Sequence, residues 1–361
     1  MVVPMPFLEG IMSISNRPMP FSAVDGELLR VEDLRVYFGH HKAPVRAVDG
    51  VSLAVRRGES VGLVGESGCG KTTVGRAVMK LVEIIEGRIL FGGYDITSLR
   101  GGNLREYRKQ AQMVFQDPYG SLNARMPVGQ AIEEVLHVHK RGDRAQRRKQ
   151  ASELFHAVGL NPEYLGRYPH EFSGGQRQRI GIARALAVGP SLIIADEPVS
   201  ALDVSVQIQI LNLLRDLQRN MGLSYLFVAH DLSVVRYMCD RIMVMYLGKI
   251  VESGSSERIY SFPSHPYTEA LLSSVPDVGK GLDSRKGGSK RIVLKGDMPS
   301  PTRQIPGCPF HTRCHRARDK CRVDAPRLRR VHPYQWSACH YAEELLEENR
   351  TASGTSKSDA F

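Results

Sequence analysis

Short apolar runs separated by turn residues make up the chain between residues 28 and 92. The runs 31–38, 51–55, 60–64 and 88–91 are rich in valine, leucine and aromatic side chains, a composition that predicts strands. Gly58 and Gly65 lie between or after these runs, where glycine favours a turn. The first part of the chain is therefore predicted to form a β-rich unit.

Helical spacing replaces this pattern from about residue 117 to residue 187. Ile132, Val135 and Leu136 recur at intervals of three and one, and Leu154 and Val158 follow four residues apart. Apolar residues spaced in this way form one face of an amphipathic helix. We therefore predict a helical insertion over these residues.

Two continuous apolar runs, 192–195 and 223–229, flank an amphipathic stretch over residues 204–217. A strand, a helix and a second wholly apolar strand predict a parallel sheet that is covered on both faces. The runs 242–246 and 249–252 meet at Leu247-Gly248 and predict a closing hairpin. The predicted fold class is α/β.

Four segments are expected along the chain. Residues 1–26 are interrupted by prolines and form a flexible lead-in, 27–260 form the main domain, and 261–345 form a Pro-, Gly- and Arg-rich extension. The extension includes a predicted linker over 278–290, and residues 346–361 are predicted to be a disordered tail.

Composition and charge narrow the possible settings for this chain. With 361 residues, of which 42% are hydrophobic and 24% charged, it has the composition of an ordinary globular protein. No apolar run approaches the ~18 to 20 residues of a spanning helix, so any membrane role must go through a partner. The formal charge of +11 favours binding to a nucleic acid or to an acidic membrane surface, and charge alone does not distinguish the two.

A phosphate-binding motif follows the strand 60–64 directly. It reads Gly65-Glu66-Ser67-Gly68-Cys69-Gly70-Lys71-Thr72, and a helical stretch begins at Thr73. This matches G-x-x-x-x-G-K-[ST] in its required strand-to-helix setting, where backbone N–H groups and the helix N-terminus bind phosphate. We expect Lys71 to neutralise the β- and γ-phosphates of ATP and Thr72 to coordinate Mg²⁺.

Two acidic residues end the apolar strand 192–195. Asp196 and Glu197 follow it directly, and the carboxyl ends of parallel strands are where ligands bind in α/β sheets. Asp196 is expected to hold Mg²⁺, and Glu197 to orient or deprotonate the attacking water. By itself the pair could equally be a helix-capping feature before Pro198; the phosphate loop favours catalysis.

A short glycine motif precedes this strand. It reads Phe172-Ser173-Gly174-Gly175-Gln176-Arg177. In this position it resembles the Leu-Ser-Gly-Gly-Gln signature of ABC ATPases, with Phe172 in place of leucine. The resemblance implies a P-loop NTPase with a RecA-like core, an antiparallel β subdomain and a helical insertion.

The same resemblance assigns further roles. It makes Gln116 the Q-loop residue, which contacts Mg²⁺ and water, and His230 the switch histidine at the γ-phosphate. It places the D-loop at residues 200–203, and makes Phe38, or alternatively Tyr37, the aromatic residue that stacks on adenine. It also implies a head-to-tail dimer with an identical or related ATPase subunit. There Ser173, Gly174, Gly175 and Gln176 contact the partner's ATP rather than the ATP on Lys71 of the same chain.

Motifs in the last quarter of the chain resemble the C-terminal extension of dipeptide and oligopeptide importer ATPases. They are His265-Pro266-Tyr267-Thr268, Lys295-Gly296-Asp297 and Pro306-Gly307-Cys308-Pro309-Phe310. This implies a peripheral subunit at the cytoplasmic face of the inner membrane, working with two permease subunits and a solute-binding protein. Nickel or another small solute is an alternative cargo. A soluble ABC ATPase acting on nucleic acid is the rival class, but such proteins usually carry two cassettes or a long coiled coil, which this chain lacks.

The cysteines of the extension predict a metal centre. Cys308, Cys314, Cys321 and Cys339 crowd together in a chain without an export signal, a setting that favours metal ligation over disulfides. Their spacing alone fits neither the usual zinc pattern nor a ferredoxin run. The family resemblance implies a [4Fe-4S] cluster. Zinc, with His311, His315 or His340 as substitute ligands, and four unliganded thiols remain alternatives.

Overall fold

The β-rich first part of the chain forms an antiparallel sheet of four strands. In the computed structural model, which describes residues 26–39, 43–117, 119–274, 292–294 and 296–352, its order is β2-β1-β4-β5. These strands are β1 (Glu27–Phe38), β2 (Val45–Arg56), β4 (Glu86–Phe91) and β5 (Tyr94–Asp95). The predicted antiparallel β subdomain is confirmed. The predicted lead-in up to residue 25 and the predicted linker lie outside the described residues.

A second sheet of eight strands forms the centre of the described structure, in the order β11-β12-β10-β9-β3-β8-β7-β6. Its strands are β3 (Ser60–Val64), β6 (Ala111–Val114), β7 (Leu192–Asp196), β8 (Ser224–Ala229), β9 (Arg241–Tyr246), β10 (Lys249–Ser255), β11 (Arg329–His332) and β12 (Gln335–Ser337). The strands from β9 to β6 are parallel, and β10, β12 and β11 add antiparallel pairs. The predicted parallel sheet and closing hairpin are both confirmed.

Helices cover the central sheet and form the insertion. In chain order they are α1 (Lys71–Val78), α2 (Gly101–Gln110), α3 (Val128–Val138), α4 (Arg144–Ala157), α5 (Gly174–Leu186), α6 (Val204–Met221), α7 (Leu232–Met238), α8 (Ser256–Ser261), α9 (Pro266–Ser273), α10 (Asp319–Val323) and α11 (Ala342–Ala352). The predicted insertion contains α3, α4 and α5, with two short 3₁₀ turns between α4 and α5. Within the described part of the chain, none of these helices has the length and apolarity needed to cross a bilayer.

Apolar side chains fill both sides of the central sheet. On one side, Ile193 and Tyr225 of the sheet belong to a continuous buried cluster that also includes Phe155 of the insertion and Phe310 of the extension. On the other side, Leu63 packs with side chains of the antiparallel sheet and of α1. Strands β3, β7 and β8 are buried along their whole length, which explains why their sequences show no alternation of apolar and polar residues.

The predicted tail is helical where the structure describes it. Residues 346–352 belong to α11, so the expected disorder from residue 346 is wrong for this part, and residues beyond 352 lie outside the description. Leu345 is buried against the extension. Glutamates of the same helix pair with Arg316, Arg318 and Arg329. These distant partners stabilise a polar helix whose own sequence gives little sign of burial.

A buried carboxylate joins the extension to the central sheet. Glu252 on β10 is fully buried, and its Oε1 accepts hydrogen bonds from the backbone N–H of Ser264 and from Nε2 of Gln335, each at 2.7 Å. The hydroxyl of Ser264 also donates to Oε1, at 2.7 Å, and the backbone N–H of His265 donates to Oε2, at 3.1 Å. Burial raises the pKa of this carboxyl group. The group therefore links β10, the start of α9 and β12.

We expect Glu252→Ala to lower the free energy of unfolding by about 3 kcal/mol, because four buried donors would lose their acceptor. Urea denaturation followed by tryptophan fluorescence measures this directly, since Trp336 is the only tryptophan of the chain and pairs with Ser253 in the sheet. Glu257→Ala is the matched control, because Glu257 is an exposed residue of α8, and its cost should be within about 0.5 kcal/mol. Equal effects of the two changes would contradict the anchoring role of Glu252.

Candidate active site

The phosphate loop connects β3 to α1. Lys71 is buried, and its Nζ donates hydrogen bonds to the backbone carbonyls of Gly65, at 2.7 Å, and Glu66, at 2.9 Å. Gly70 has φ +108°, a conformation that other residues rarely adopt. A Cβ at Gly70 would collide with the carbonyl oxygen of Ala47. The loop is therefore held by close packing against neighbouring backbone, and its conformation requires glycine.

Thr72 and Asp196 meet at the first turn of α1. The hydroxyl Oγ1 of Thr72 donates a hydrogen bond of 2.9 Å to Oδ1 of Asp196, the last residue of β7. Burial raises the pKa of Asp196, and the hydrogen bond from Thr72 acts in the opposite direction. Two of the predicted magnesium ligands are thus adjacent, and their oxygen atoms are of the type that Mg²⁺ prefers.

The carboxylate of Glu197 lies between two polar side chains. Its Oε2 accepts a hydrogen bond of 3.1 Å from Nε2 of Gln116 and lies 3.0 Å from Nδ1 of His230. The backbone of Glu197 has φ +45°, and its N–H donates to the carbonyl of Val228 at 2.9 Å. The structure therefore brings together three residues from separate strand ends. A carboxylate held in this way can accept a proton from water or orient a water molecule for attack.

Ser173 begins helix α5 as its N-cap. Its Oγ accepts a hydrogen bond from the backbone N–H of Gln176, whose side chain accepts one in return from the N–H of Ser173. This capping box stabilises the first turn of the helix. Ser173 is exposed, and a Cβ on Gly174 or Gly175 would face side chains of the segment 202–206. The motif therefore presents a helix N-terminus on the surface.

The two candidate adenine-stacking residues end β1 and differ in their contacts. The hydroxyl of Tyr37 donates a hydrogen bond of 2.8 Å to Oδ1 of Asp49, and the guanidinium of Arg46 lies 5.6 Å from its ring centroid. Phe38 is 41% exposed, so its ring is accessible to a ligand. The geometry favours Phe38 for stacking on a planar base.

Four cysteines of the extension line a single cavity. They are Cys308, Cys314, Cys321 and Cys339. Burial raises the pKa of Cys308 to about 11 and that of Cys339 to about 12. In the part of the chain that the structure describes, no three His, Cys, Asp or Glu side chains are placed to hold one metal ion. The predicted metal centre is therefore not confirmed by the geometry.

The sequence did not reveal two contacts of the phosphate loop with the extension. Arg313 forms an ion pair with the carboxylate of Glu66, and the hydroxyl of Tyr267 accepts a hydrogen bond from the backbone N–H of the same residue. The sequence offers one signal for the first contact. Glu66 places a carboxylate in a loop that binds anions, and such a carboxylate is stabilised by a nearby cation.

Two family models match this chain. The model described as "ABC transporter" covers residues 48–200, and the model described as "Oligopeptide/dipeptide transporter, C-terminal region" covers residues 251–321. The first match contains the phosphate loop and both acidic residues at the end of β7. The second contains Tyr267, Arg313 and the first three cysteines of the cavity.

Similar proteins extend over most of the chain. An oligopeptide transport ATP-binding protein of Bacillus subtilis, AppF, is 50% identical over 324 residues, covering 87% of this chain and 97% of its own length. A putative peptide import ATP-binding protein of Brucella ovis is 49% identical over 312 residues, covering 86% of this chain and 97% of its own.

Solved structures resemble the cassette part of the chain. The dimeric ATP-binding cassette MJ0796, in a post-hydrolysis state bound to ADP and Pi, has a TM-score of 0.59 and 28% identity, and covers 63% of this chain and 99% of its own. CbiO1 of Clostridium perfringens, part of the transporter complex CbiONQ, has a TM-score of 0.59 and 27% identity, and covers 65% of this chain and 91% of its own.

Gly70→Ala is expected to lower the free energy of unfolding by about 2 to 3 kcal/mol, because the left-handed backbone and the collision with Ala47 both oppose a side chain. Thermal and urea denaturation measure the change. Gly181→Ala on α5 is the matched control, because a Cβ there meets no atom within 4 Å, and it should leave stability unchanged or raise it by up to about 1 kcal/mol. If Gly70→Ala were as stable as the wild type, the packing described for the loop would be wrong.

Proposed function

The chain belongs to the family of ABC transporter ATP-binding subunits that includes the peptide import proteins, and we propose that it hydrolyses ATP to drive the import of dipeptides or oligopeptides. The carboxylate of Glu197, held between Gln116 and His230 beside the Thr72–Asp196 pair, carries this proposal. The names of its relatives support peptide cargo. They give no support to nickel or to a nucleic-acid role. We place the ATPase domain at residues 27–260 and the extension at 261–345.

The phosphate loop binds the triphosphate of ATP. Backbone N–H groups of the loop after Glu66, whose own N–H donates to Tyr267, bind phosphate oxygens, and the N-terminus of α1 adds the positive end of its dipole. Lys71 moves its ammonium from the loop carbonyls to the β- and γ-phosphates. Phe38 stacks on adenine from the end of β1. Mg²⁺, when bound, neutralises developing phosphate charge, and Thr72, Asp196 and Gln116 are the residues that would hold it.

Hydrolysis depends on the side chains around Glu197. Its carboxylate orients the attacking water and accepts its proton, and the hydrogen bond from Gln116 fixes where that carboxylate points. His230, half-exposed and 3.0 Å from the same oxygen, contacts the γ-phosphate. Because both neighbours contact one carboxylate oxygen, a movement of either changes the geometry of attack.

A second ATPase subunit completes the site. Ser173 and the following glycines form the N-terminus of α5, whose positive dipole end suits the γ-phosphate of ATP bound to the partner in a head-to-tail dimer. The dimeric cassette structure that this chain resembles supports this arrangement. The second subunit is an identical copy or a related chain.

Permease subunits dock beside the helical insertion. A groove there is lined by Gln116 and by the exposed apolar side chains of Phe115 and Val138. Closure of the ATPase dimer would move this groove and so drive the permease. The chain would then lie at the cytoplasmic face of the inner membrane as a peripheral subunit, and cargo would arrive through a solute-binding protein outside the membrane.

The donor set of the cysteine cavity, four thiols, is of the type that an iron–sulfur cluster takes. The four cysteines line one space, and four thiolates are sufficient to hold such a cluster. We propose that Cys308, Cys314, Cys321 and Cys339 hold a [4Fe-4S] cluster, which would supply a cross-link between distant segments and a one-electron redox centre. Zinc is the competing occupant.

Glu197→Gln is expected to retain ATP binding but lose at least about 100-fold in turnover, because the amide cannot accept the proton. Lys71→Ala should instead weaken ATP binding itself. Turnover and nucleotide affinity of the complete transporter, reconstituted in membranes, separate the two effects. A further complex carries Glu197→Gln in one ATP site and has its other ATP site inactivated. Full turnover by that complex would show that Glu197 is not the base.

Anaerobically purified protein is expected to contain about four iron and four acid-labile sulfide atoms per chain. Cys314→Ser should lose most of this iron, whereas Cys239→Ala, a buried cysteine outside the cavity, should keep it. Elemental analysis and the visible absorption spectrum measure the content. Zinc in place of iron, or neither metal, would overturn the cluster assignment.

A further inference from the structure

Arg313 of the extension contacts the second residue of the phosphate loop. Its Nη1 donates to Oε2 of Glu66 at 2.8 Å and its Nη2 donates to Oε1 at 3.2 Å, so that the guanidinium and the carboxylate form a bidentate pair. The Arg313 side chain is 8% exposed and that of Glu66 is 26% exposed. A paired and largely buried geometry of this kind is stronger than an ordinary surface ion pair.

All three polar parts of Glu66 are engaged. Its carboxylate binds Arg313, its backbone N–H donates to the hydroxyl of Tyr267 at 2.9 Å, and its carbonyl accepts from Nζ of Lys71 at 2.9 Å. Two of these contacts come from the extension and the third comes from the lysine that binds phosphate. Glu66 therefore lies directly between the extension and Lys71.

Aromatic packing fixes the extension side of this contact. Phe310, which lines the cysteine cavity, lies 5.3 Å from the ring of Tyr267 and 5.2 Å from the ring of Tyr246, measured between centroids. All three rings are fully buried. Arg313 itself is adjacent to Cys314 in the sequence. The segment that carries Arg313 is thus packed against the end of β9, so the guanidinium has little freedom to leave Glu66.

A carboxylate in this position opposes phosphate binding. The loop gathers N–H dipoles and one ammonium to hold several negative charges, and a free Glu66 carboxylate would add repulsion at close range with limited solvent screening. The bidentate pair with Arg313 offsets this charge and holds the carboxylate against the extension. The extension thereby removes a repulsion that the loop sequence itself creates.

We propose that Arg313 is a positioning residue of the nucleotide site, which neutralises and orients Glu66 so that the phosphate loop binds nucleotide. The C-terminal extension is then part of the nucleotide-binding machinery. This inference rests on the proposed ATP-binding function of the loop.

The test is a double-mutant cycle on the full-length chain, with Mg-ADP binding measured by calorimetry. ADP contacts the same loop and lacks the γ-phosphate that the partner subunit is proposed to bind. Arg313→Ala should raise the Kd for Mg-ADP about tenfold in the wild-type background, as expected for exposing one unpaired charge. In a Glu66→Gln background, Arg313→Ala should raise the Kd for Mg-ADP by no more than about twofold, because no carboxylate remains to be neutralised.

Arg329→Ala is the matched control, because Arg329 pairs with Glu343 within the extension and has no contact described with the loop. It should leave the Kd unchanged, and circular dichroism should show all variants folded. An unchanged Kd for Arg313→Ala, or an equal loss in both backgrounds, would overturn the proposal, since a purely structural arginine would act regardless of Glu66. Failure of the wild-type chain to bind Mg-ADP at all would instead reject the proposed function.

Discussion

The parallel alignment of β3, β7 and β8 is the constraint on which the site depends. Val64 at the end of β3 is level with Ala229 at the end of β8, and Asp196 at the end of β7 is level with Val228. All three strands therefore stop at one edge of the sheet, and the residue that follows each strand enters the same crevice. A shift of one residue in either register would separate the phosphate loop from the carboxylates and would turn buried side chains to the opposite face.

Local sequence was sufficient to predict this part of the molecule. The phosphate loop and the acidic pair each follow a recognisable apolar strand, so their meeting follows from the rule for parallel sheets. His230 was different, because a single histidine after a strand carries no specific signal and only the family resemblance identified it. The structure places its Nδ1 3.0 Å from Oε2 of Glu197, the oxygen that Gln116 also contacts, and the expected role of His230 at the γ-phosphate stays a prediction.

The extension could not be predicted to the same depth, because its contacts are distant in sequence. Glu252 meets Gln335 across 83 positions, and Arg313 meets Glu66 across 247. No periodic pattern encodes such pairs. The short strands β11 and β12 and the polar helix α11 also lack strong local signals. The strands form by pairing with the existing sheet edge, and the helix is stabilised by ion pairs with arginines of the extension. The four cysteines of the extension form an evident cluster in the sequence, yet their spacing alone does not identify the metal or cluster that they would bind.

The addition of β12 to β10 has a consequence for how the chain folds during synthesis. β10 ends at Ser255, but the strand that covers its free edge is completed only at Ser337. An uncovered edge strand can pair with other chains. While the ribosome makes the intervening residues, the edge of β10 is therefore unpaired in the nascent chain. During this interval the newly made subunit is exposed to aggregation, and binding by a chaperone would protect it until β12 has been synthesised.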